Sequence, residues 1–251
     1  MTRGSMAFGM LVALRPAAGL LSKPAMRRPV AALHLWGAFS SAMSAKKEID
    51  YTKLAGLPAS LGREAAEYAV NKQTPVQSKD GHDLITFAGG CFWGIELAFQ
   101  RVPGVVGTCV GYCQGQVERP TYDEVCAATT GHTEAVLVSY DPKVVSFDAL
   151  CEVFWDRLGD SAVKYHQVGN DRGPQYRSGI YPSSPKQLED ALASREALQK
   201  NYKKPITTEV EMVQIFYPAE EYHQQYLEKG GRFSAPQSAE KGATETIRCY
   251  G

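Results

Sequence analysis

A cysteine between glycines is the residue of this chain best suited to chemistry. Cys91 lies in the run Gly89-Gly90-Cys91-Phe92-Trp93-Gly94, after the apolar stretch 84–88 and before the amphipathic stretch 95–101. That order predicts a strand, a tight glycine turn and a helix with Cys91 in its first turn. Free backbone N–H groups and the helix dipole favour an anion there, which predicts a lowered thiol pKa and a nucleophilic thiolate. A buried structural cysteine is the alternative, and the flanking glycines argue against it.

Polar groups elsewhere could assist such a thiol. Tyr112 ends a predicted strand, Glu134 begins another, the loop 170–178 is rich in charges and glycine, and Cys249 lies near the chain end. Each also has a structural interpretation as a half-buried strand residue, a solvated strand end or a surface ion pair.

Alternating strands and helices must position these groups. Apolar runs predict strands over 84–88, 105–112, 133–140, 180–181 and 209–216. Helical spacing and capping residues predict helices after Cys91, from Ser146 to 158, from Ser184 to about 200 and over 219–229, with a short helix or turn at 122–127. We therefore predict an α+β fold, a two-layer sandwich in which helices pack on one face of a mixed or antiparallel sheet.

Composition divides the chain into four parts. Residues 1–47 hold seven basic residues and no acidic residue, which is typical of an organelle transit peptide. We favour a plastid over a mitochondrion, and Met43 offers a second start that would give a cytosolic form. Residues 48–81 are interpreted as a lead-in arm, 82–231 as the catalytic domain, and 232–251 as a flexible, coil-rich tail.

Charge and cysteine usage exclude several classes of protein. The chain has 27 basic and 27 acidic residues, so without the first 47 its net charge is −7. This argues against a nucleic-acid partner. The apolar piece 6–14 is too short to span a membrane. The six cysteines form no dense disulfide framework, which fits a reducing compartment.

Several blocks of the sequence together resemble the A-type peptide methionine sulfoxide reductases. The resemblance covers about residues 84–230, and the last four residues are similar to plant members. The blocks, in chain order, are Gly90-Cys91-Phe92-Trp93-Gly94, Val110-Gly111-Tyr112, Pro120-Thr121-Tyr122-Asp123-Glu124-Val125-Cys126, Gly131-His132-Thr133-Glu134, Gly169-Asn170-Asp171, Gln175-Tyr176-Arg177-Ser178, Tyr222-His223-Gln224-Gln225-Tyr226-Leu227 and Arg248-Cys249-Tyr250-Gly251.

The resemblance implies a ferredoxin-like core and a set of roles. Cys91 matches the nucleophile that attacks the sulfoxide sulfur and becomes a sulfenic acid. Glu134 matches the acid for the departing oxygen, and a carboxyl beside a thiolate keeps its proton more readily. Cys249 would form a disulfide with Cys91 that thioredoxin reopens. Tyr112 and Tyr176 match hydroxyls that bind the oxygen. Phe92 and Trp93 match the pocket for the S-methyl group of the substrate, and Asp171 matches a polar residue that helps to order the site.

The same resemblance implies the partners. These are oxidised methionine, free or in peptides and proteins, and thioredoxin as reductant. We expect a monomer without cofactor or metal. Three positions differ from the family pattern: Gly159-Asp160-Ser161-Ala162 replaces His-Asp-Pro-Thr, Pro174 replaces a threonine, and Ala243 replaces a second tail cysteine.

Three other functions remain open at this point. His223 could pair with Cys91 in a hydrolase, although the sequence context of papain-like proteases is missing. A structural metal site would use Cys109, Cys113, Cys126 and His132. A redox sensor or methionine-binding module would keep the pocket without turnover.

Overall fold

A six-stranded mixed sheet forms the centre of the protein, in a computed structural model that describes residues 60–249. In chain order the strands are β1 (Asp83–Ala88), β2 (Val105–Cys113), β3 (Thr133–Tyr140), β4 (Gln167–Val168), β5 (Asp171–Arg172), β6 (Gly179–Pro182), β7 (Glu209–Val210) and β8 (Tyr217–Pro218). The strand order in the sheet is β7-β6-β1-β3-β2-β8; β6 and β7 run parallel, and the other neighbours are antiparallel. A separate hairpin consists of β4 and β5.

Local capping sets where the helices begin. The Ser146 hydroxyl accepts the N–H of Ala149, and the Ser184 hydroxyl accepts the N–H of Gln187, so two predicted N-caps are confirmed. The α-helices are α1 (Ser60–Val70), α2 (Phe92–Gln100), α3 (Tyr122–Cys126), α4 (Phe147–Leu158) and α5 (Pro185–Gln199). Short 3-10 helices cover Gly159–Val163, Pro174–Tyr176, Glu221–His223 and Gly231–Phe233.

The predicted α+β class is confirmed, and the order of elements explains it. The elements β1-α2-β2-β3-α4-β6 follow one another in the chain, and their four strands lie side by side in the order β6-β1-β3-β2. This is the split βαβ arrangement. The ring of Phe87 in β1 stacks on Phe99 of α2 at 4.6 Å and on Phe154 of α4 at 5.2 Å between centroids. Burial of such a side chain contributes about 1.5–3 kcal/mol.

Alternation along the strands divides the core into two faces. The Phe87 face also carries Val136 and Val138 and packs against α2, α4 and α5. The opposite face carries Leu84 and Leu137 and packs against Leu61 of α1. The second face is thus covered by α1, a helix within the predicted lead-in arm.

Two predicted elements are much shorter in the structure than predicted. The predicted strand 209–216 is reduced to the two-residue β7, and the amide of Gln214 donates to the side chain of Gln114 instead of to a strand. The predicted helix 219–229 is only a 3-10 turn, Glu221–His223. Its N–H groups find other partners: Gln225 donates to the Glu96 carboxylate and has a left-handed φ of 55°. Tertiary contacts therefore override the helical pattern.

Specific hydrogen bonds hold the C-terminal segment against the end of α2. The Arg101 guanidinium donates to the carbonyls of Ser238 and Glu245 at 2.8 and 2.6 Å. The Lys241 ammonium donates to the carbonyls of Gln100 and Val105, both at 2.7 Å. These bonds fix the course of the tail up to the residues that precede Cys249.

The predicted transit peptide, the start of the lead-in arm and Met43 lie outside the described residues. Within residues 60–249, no helix has the length and apolar character needed to cross a membrane.

Candidate active site

Cys91 is the N-cap of α2, directly after a glycine turn. Gly90 has φ = +76°, and a Cβ there would lie 2.7 Å from Val168 Cβ, so the turn requires glycine for two reasons. The predicted strand–turn–helix is confirmed, with Cys91 at the boundary of the helix instead of within its first turn. Only 9% of its surface is exposed.

The expected lowering of the Cys91 pKa is wrong for this structure. Burial raises the thiol pKa well above its ordinary value, and negative charge on Glu134 raises it further. A hydrogen bond from the backbone N–H of Trp93 acts in the opposite direction but is the smaller effect. Desolvation of the thiolate thus outweighs the helix terminus, and the resting thiol keeps its proton at neutral pH.

Glu134 lies beside this thiol and is also protonated. Its Oε2 accepts the N–H of Phe92 at 3.0 Å, which places the carboxyl at the residue next to Cys91. Burial raises the Glu134 pKa to about 8; the Phe92 N–H lowers it, and Asp171 adds a raising effect. The pKa shift has the expected direction, but its main cause is burial and not a neighbouring thiolate.

Strand pairing brings Tyr112 next to Glu134. The two residues are direct partners in the β2–β3 register and lie on the face covered by α2. The Tyr112 hydroxyl donates to Glu220 Oε2 at 2.8 Å, and Glu220 Oε1 accepts the N–H of Tyr122 at 2.9 Å. The sequence did not identify Glu220, because nothing in it distinguishes Glu220 from its acidic neighbour Glu221.

Tyr176 reaches the same place from the loop between β5 and β6. Pro174 occupies the first turn of the 3-10 helix that carries Tyr176, so this departure from the family pattern is compatible with the loop. Burial raises the pKa of the Tyr176 hydroxyl, and Glu134, Cys91 and Asp171 raise it further. Tyr176 is therefore within electrostatic range of Glu134, Cys126 and Cys91.

Aromatic side chains form one wall beside the thiol. The Trp93 ring lies 6.2 Å from that of Phe92 and stacks on Tyr226 at 3.9 Å between centroids. The indole N–H of Trp93 donates to His223 Nδ1 at 3.2 Å. Burial lowers the His223 pKa to about 4, so this imidazole is neutral at pH 7. The block 222–227 contains both residues, but the sequence suggested a role only for His223, as the partner of Cys91 in a hydrolase.

Cys91 and Cys249 line the same cavity, which has a volume of about 300 Å³. The Arg157 guanidinium donates to the Cys249 sulfur at 2.8 Å. The Ser161 hydroxyl accepts the N–H of Gly169 and so orders the loop before Asp171, which supplies a local bond where the family motif is absent. Residues that line the cavity include Cys91, Arg157, Ser161, Asn170, Asp171 and Cys249.

The remaining cysteines give no support to the metal alternative. Cys109 and Cys113 are buried on the α1 face of the sheet, and burial raises both thiol pKa values. His132 Nε2 is hydrogen-bonded to the carbonyl of Val117. Across residues 60–249, no group of three or more His, Cys, Asp or Glu side chains has a metal-binding arrangement.

The hydrolase alternative fails on the position of the histidine. His223 uses Nδ1 to accept the indole N–H of Trp93, and burial keeps the ring neutral. In the part of the chain that the structure describes, no hydrogen bond joins His223 to Cys91, so the pair does not form the activated thiolate–imidazolium of a cysteine protease.

Known proteins share this sequence and fold. The family model described as peptide methionine sulfoxide reductase matches residues 83–248. A peptide methionine sulfoxide reductase of Lactuca sativa is 48% identical over 75% of this chain and 74% of its own length. Chloroplastic A4 reductases of Oryza sativa subsp. japonica and Arabidopsis thaliana are 53% and 52% identical over 68% of this chain, and the match spans just under two thirds of each, 64% and 66%.

Solved structures agree with the sequence relatives. Reduced Mxr1 from Saccharomyces cerevisiae matches with a TM-score of 0.57 and 35% identity, over 61% of this chain and 88% of the yeast chain. Methionine sulfoxide reductase A of Corynebacterium diphtheriae matches with a TM-score of 0.56 and 37% identity, over 61% and 76%.

The fold and the site together define a thiol-dependent oxidoreductase, in which a buried cysteine lies beside a protonated carboxyl. With the sequence and structural matches, the assignment becomes specific: this chain belongs to the peptide methionine sulfoxide reductase family.

Proposed function

We propose that the chain reduces the S epimer of methionine sulfoxide, free or peptide-bound, at Cys91. The observation that carries the proposal is the contact between Glu134 and the N–H of Phe92 at 3.0 Å. A carboxyl with a pKa raised to about 8 thus lies next to a buried thiol, so at neutral pH an acid is available beside the sulfur that would act as the nucleophile.

In the proposed reduction, the sulfur of Cys91 attacks the sulfoxide sulfur. Glu134 donates a proton to the sulfoxide oxygen, and the proton lost by the thiol restores the carboxyl. The oxygen moves to Cys91, which becomes a sulfenic acid, while methionine is released. Cys91 is oxidised by two electrons and the substrate sulfur is reduced by two, so no cofactor is needed.

Two hydroxyls would stabilise the oxygen while its charge develops. Tyr176 lies within electrostatic range of Glu134 and Cys91, and its hydroxyl would donate to the substrate oxygen. In the resting site the Tyr112 hydroxyl donates a hydrogen bond to Glu220. It would take this role by rotating its hydrogen towards the substrate oxygen. Asp171, on the cavity wall, would help to order the same site.

Phe92 and Trp93 would receive the S-methyl group of the substrate. Trp93 is fixed by Tyr226 on its face and by His223 at its indole nitrogen, so this wall is rigid. A fixed methyl pocket and a fixed oxygen site admit one configuration at sulfur, which is the basis for proposing the S epimer.

Cys249 would then form a disulfide with Cys91, and thioredoxin would reduce it. Cys249 lines the same cavity as Cys91 and is partly exposed, so a protein dithiol can reach it. A monomer is proposed, with no nucleic-acid or membrane partner.

The proposed division of the chain follows the same reasoning. Residues 1–47 would direct the chain to a plastid, supported by its similarity to chloroplastic A4 reductases, with a cytosolic form from Met43. Residues 48–81 serve as the lead-in arm, 82–231 as the catalytic domain and 232–251 as the C-terminal tail that carries Cys249.

Dithiothreitol-driven reduction of the separated epimers tests the proposal. We expect rapid methionine formation from the S epimer and little from the R epimer, with Cys91→Ser inactive on both. Equal rates on the two epimers would refute the fixed pocket. Binding of sulfoxide peptide without turnover would support a sensor or binding module, and peptide hydrolysis would support the protease.

A further inference from the structure

Arg157 makes a contact that the reduction step does not use. It lies in the last turn of α4, and its guanidinium donates to the Cys249 sulfur at 2.8 Å inside the cavity shared with Cys91. A guanidinium is permanently charged and forms charge-assisted hydrogen bonds, which are stronger than those between neutral groups.

Gly94 makes room for this contact. A Cβ at Gly94 would lie 2.5 Å from Arg157 Nη2 and 3.0 Å from Cys249 Sγ. Gly94 has no left-handed backbone that would demand glycine, and it lies within α2, where alanine has the higher helix propensity. The Arg157–Cys249 pair therefore occupies the space beside Gly94. A side chain at position 94 would fill that space and break the contact between the guanidinium and the sulfur.

The backbone just before Cys249 is held by another buried side chain. The Gln237 amide accepts the N–H of Arg248 at 2.9 Å and donates to the Arg248 carbonyl at 2.8 Å. Together with the bonds from Arg101 to Ser238 and Glu245, these two hydrogen bonds position the end of the chain at the cavity. Arg157 then holds the sulfur itself.

We infer that Arg157 is a positioning residue for the resolving step, and that it holds the Cys249 sulfur in the cavity where Cys91 becomes a sulfenic acid. This inference rests on the proposed function. In the step, the Cys249 sulfur attacks the Cys91 sulfur, an S–S bond forms and the S–O bond breaks. Cys249 is oxidised, the Cys91 sulfur is reduced, and the oxygen leaves as water with the thiol proton.

A single-turnover experiment on the full chain tests Arg157. Reduced enzyme is mixed with one equivalent of methionine-S-sulfoxide, and methionine and the Cys91–Cys249 disulfide are measured in the same quenched samples. In Arg157→Ala, we expect the rate of disulfide formation, relative to methionine release, to fall about tenfold or more. Free guanidinium ion at non-denaturing concentration, or Arg157→Lys, should restore part of that ratio.

Gly94→Ala gives an independent test. The added methyl group should displace the guanidinium, lower the same ratio and leave the melting temperature no lower than in the wild type. Gly107→Ala is the matched control, because a Cβ there meets only ordinary contacts with Leu61 at 3.5 Å. It should leave the ratio unchanged.

The outcomes separate this inference from the proposed function. If wild-type enzyme releases methionine but forms no Cys91–Cys249 disulfide, the proposed resolving role of Cys249 fails. If the wild type forms that disulfide, and folded Arg157→Ala and Gly94→Ala form it at the wild-type ratio, the role of Arg157 is refuted. A second pattern also refutes it: the ratio of disulfide formation to methionine release falls in Arg157→Ala and is not rescued by guanidinium, while Gly94→Ala keeps the wild-type ratio. The effect of Arg157→Ala would then be structural.

Discussion

At the scale of single residues, burial decides the protonation of the site. Cys91 and Glu134 both have pKa values raised chiefly by desolvation, so each holds its proton at neutral pH. The helix terminus at Cys91 favours the thiolate but does not overcome the loss of water. In the proposed reduction, the pocket would thus provide both protons: one for the sulfoxide oxygen and one that replaces it on Glu134.

Glu134→Gln should slow methionine formation in a single turnover by about 10²-fold or more, because the amide has no transferable proton. Glu134 can donate only below its raised pKa of about 8, so the wild-type rate should fall as the pH rises through that value. The variant should lose this alkaline decline. Rapid-quench measurement of methionine between about pH 6 and 10 checks both effects.

Glu96→Gln is the matched control, because Glu96 is a buried carboxyl with the same direction of pKa shift, to about 8, outside the cavity. It should keep the alkaline decline of the wild type. A wild-type rate and pH profile in Glu134→Gln would remove Glu134 from the mechanism.

Most site residues could be predicted because their chemistry is local in sequence. Cys91 stands out by its glycines, and Tyr112 and Glu134 by their places at strand ends. Glu220 and Arg157 could not be found, because their partners lie 108 and 92 residues away in the chain. The direction of the Cys91 pKa shift depends on burial, which the local sequence does not reveal.

At the scale of elements, the segment 217–227 supports the site with little regular structure, namely the two-residue β8 and one 3-10 turn. The Gln224 side chain bonds to the N–H and the carbonyl of Val110 and to the carbonyl of Ala219. Glu96 accepts the N–H of Gln225 at 2.9 Å and the Thr108 hydroxyl at 3.2 Å. The strands and capped helices were predictable from alternation and capping, whereas this segment is shaped by buried side chains of other elements.

Glu96→Gln should stabilise the protein at pH 8 and change little at pH 5. Burial raises the Glu96 pKa from 4.5 to about 8, so the folded state retains a proton that the unfolded chain loses. The stability associated with this group is complete below 4.5 and is lost as the pH rises through about 8. The neutral amide removes this loss and keeps acceptor and donor positions. Melting temperatures of both proteins across that range provide the measurement; equal pH dependence would contradict it.

At the scale of the whole molecule, the tail and the sheet face decide which thiols can meet. Cys109 and Cys113 point to the α1 face with Leu61 and Leu137, whereas Cys91 lies at the start of α2 on the other side. Cys249 comes from the opposite end of the chain yet lines the Cys91 cavity. Sequence reasoning could foresee a tail cysteine that folds back, but not the bonds from Arg101 and Lys241 that guide it.

Cys249→Ser should still release one methionine per enzyme in a single turnover, because Cys91 alone reduces the substrate in the proposed mechanism. Turnover with thioredoxin should fall sharply, since thioredoxin would have to reach the buried sulfenic acid at Cys91. Small thiols should restore turnover because they can enter the cavity of about 300 Å³. Cys126→Ser, which changes a partly exposed thiol on α3, is the matched control and should keep thioredoxin-linked turnover. Full thioredoxin-linked activity in Cys249→Ser, with a Cys91–Cys113 disulfide, would show instead that the sheet opens to expose its α1 face.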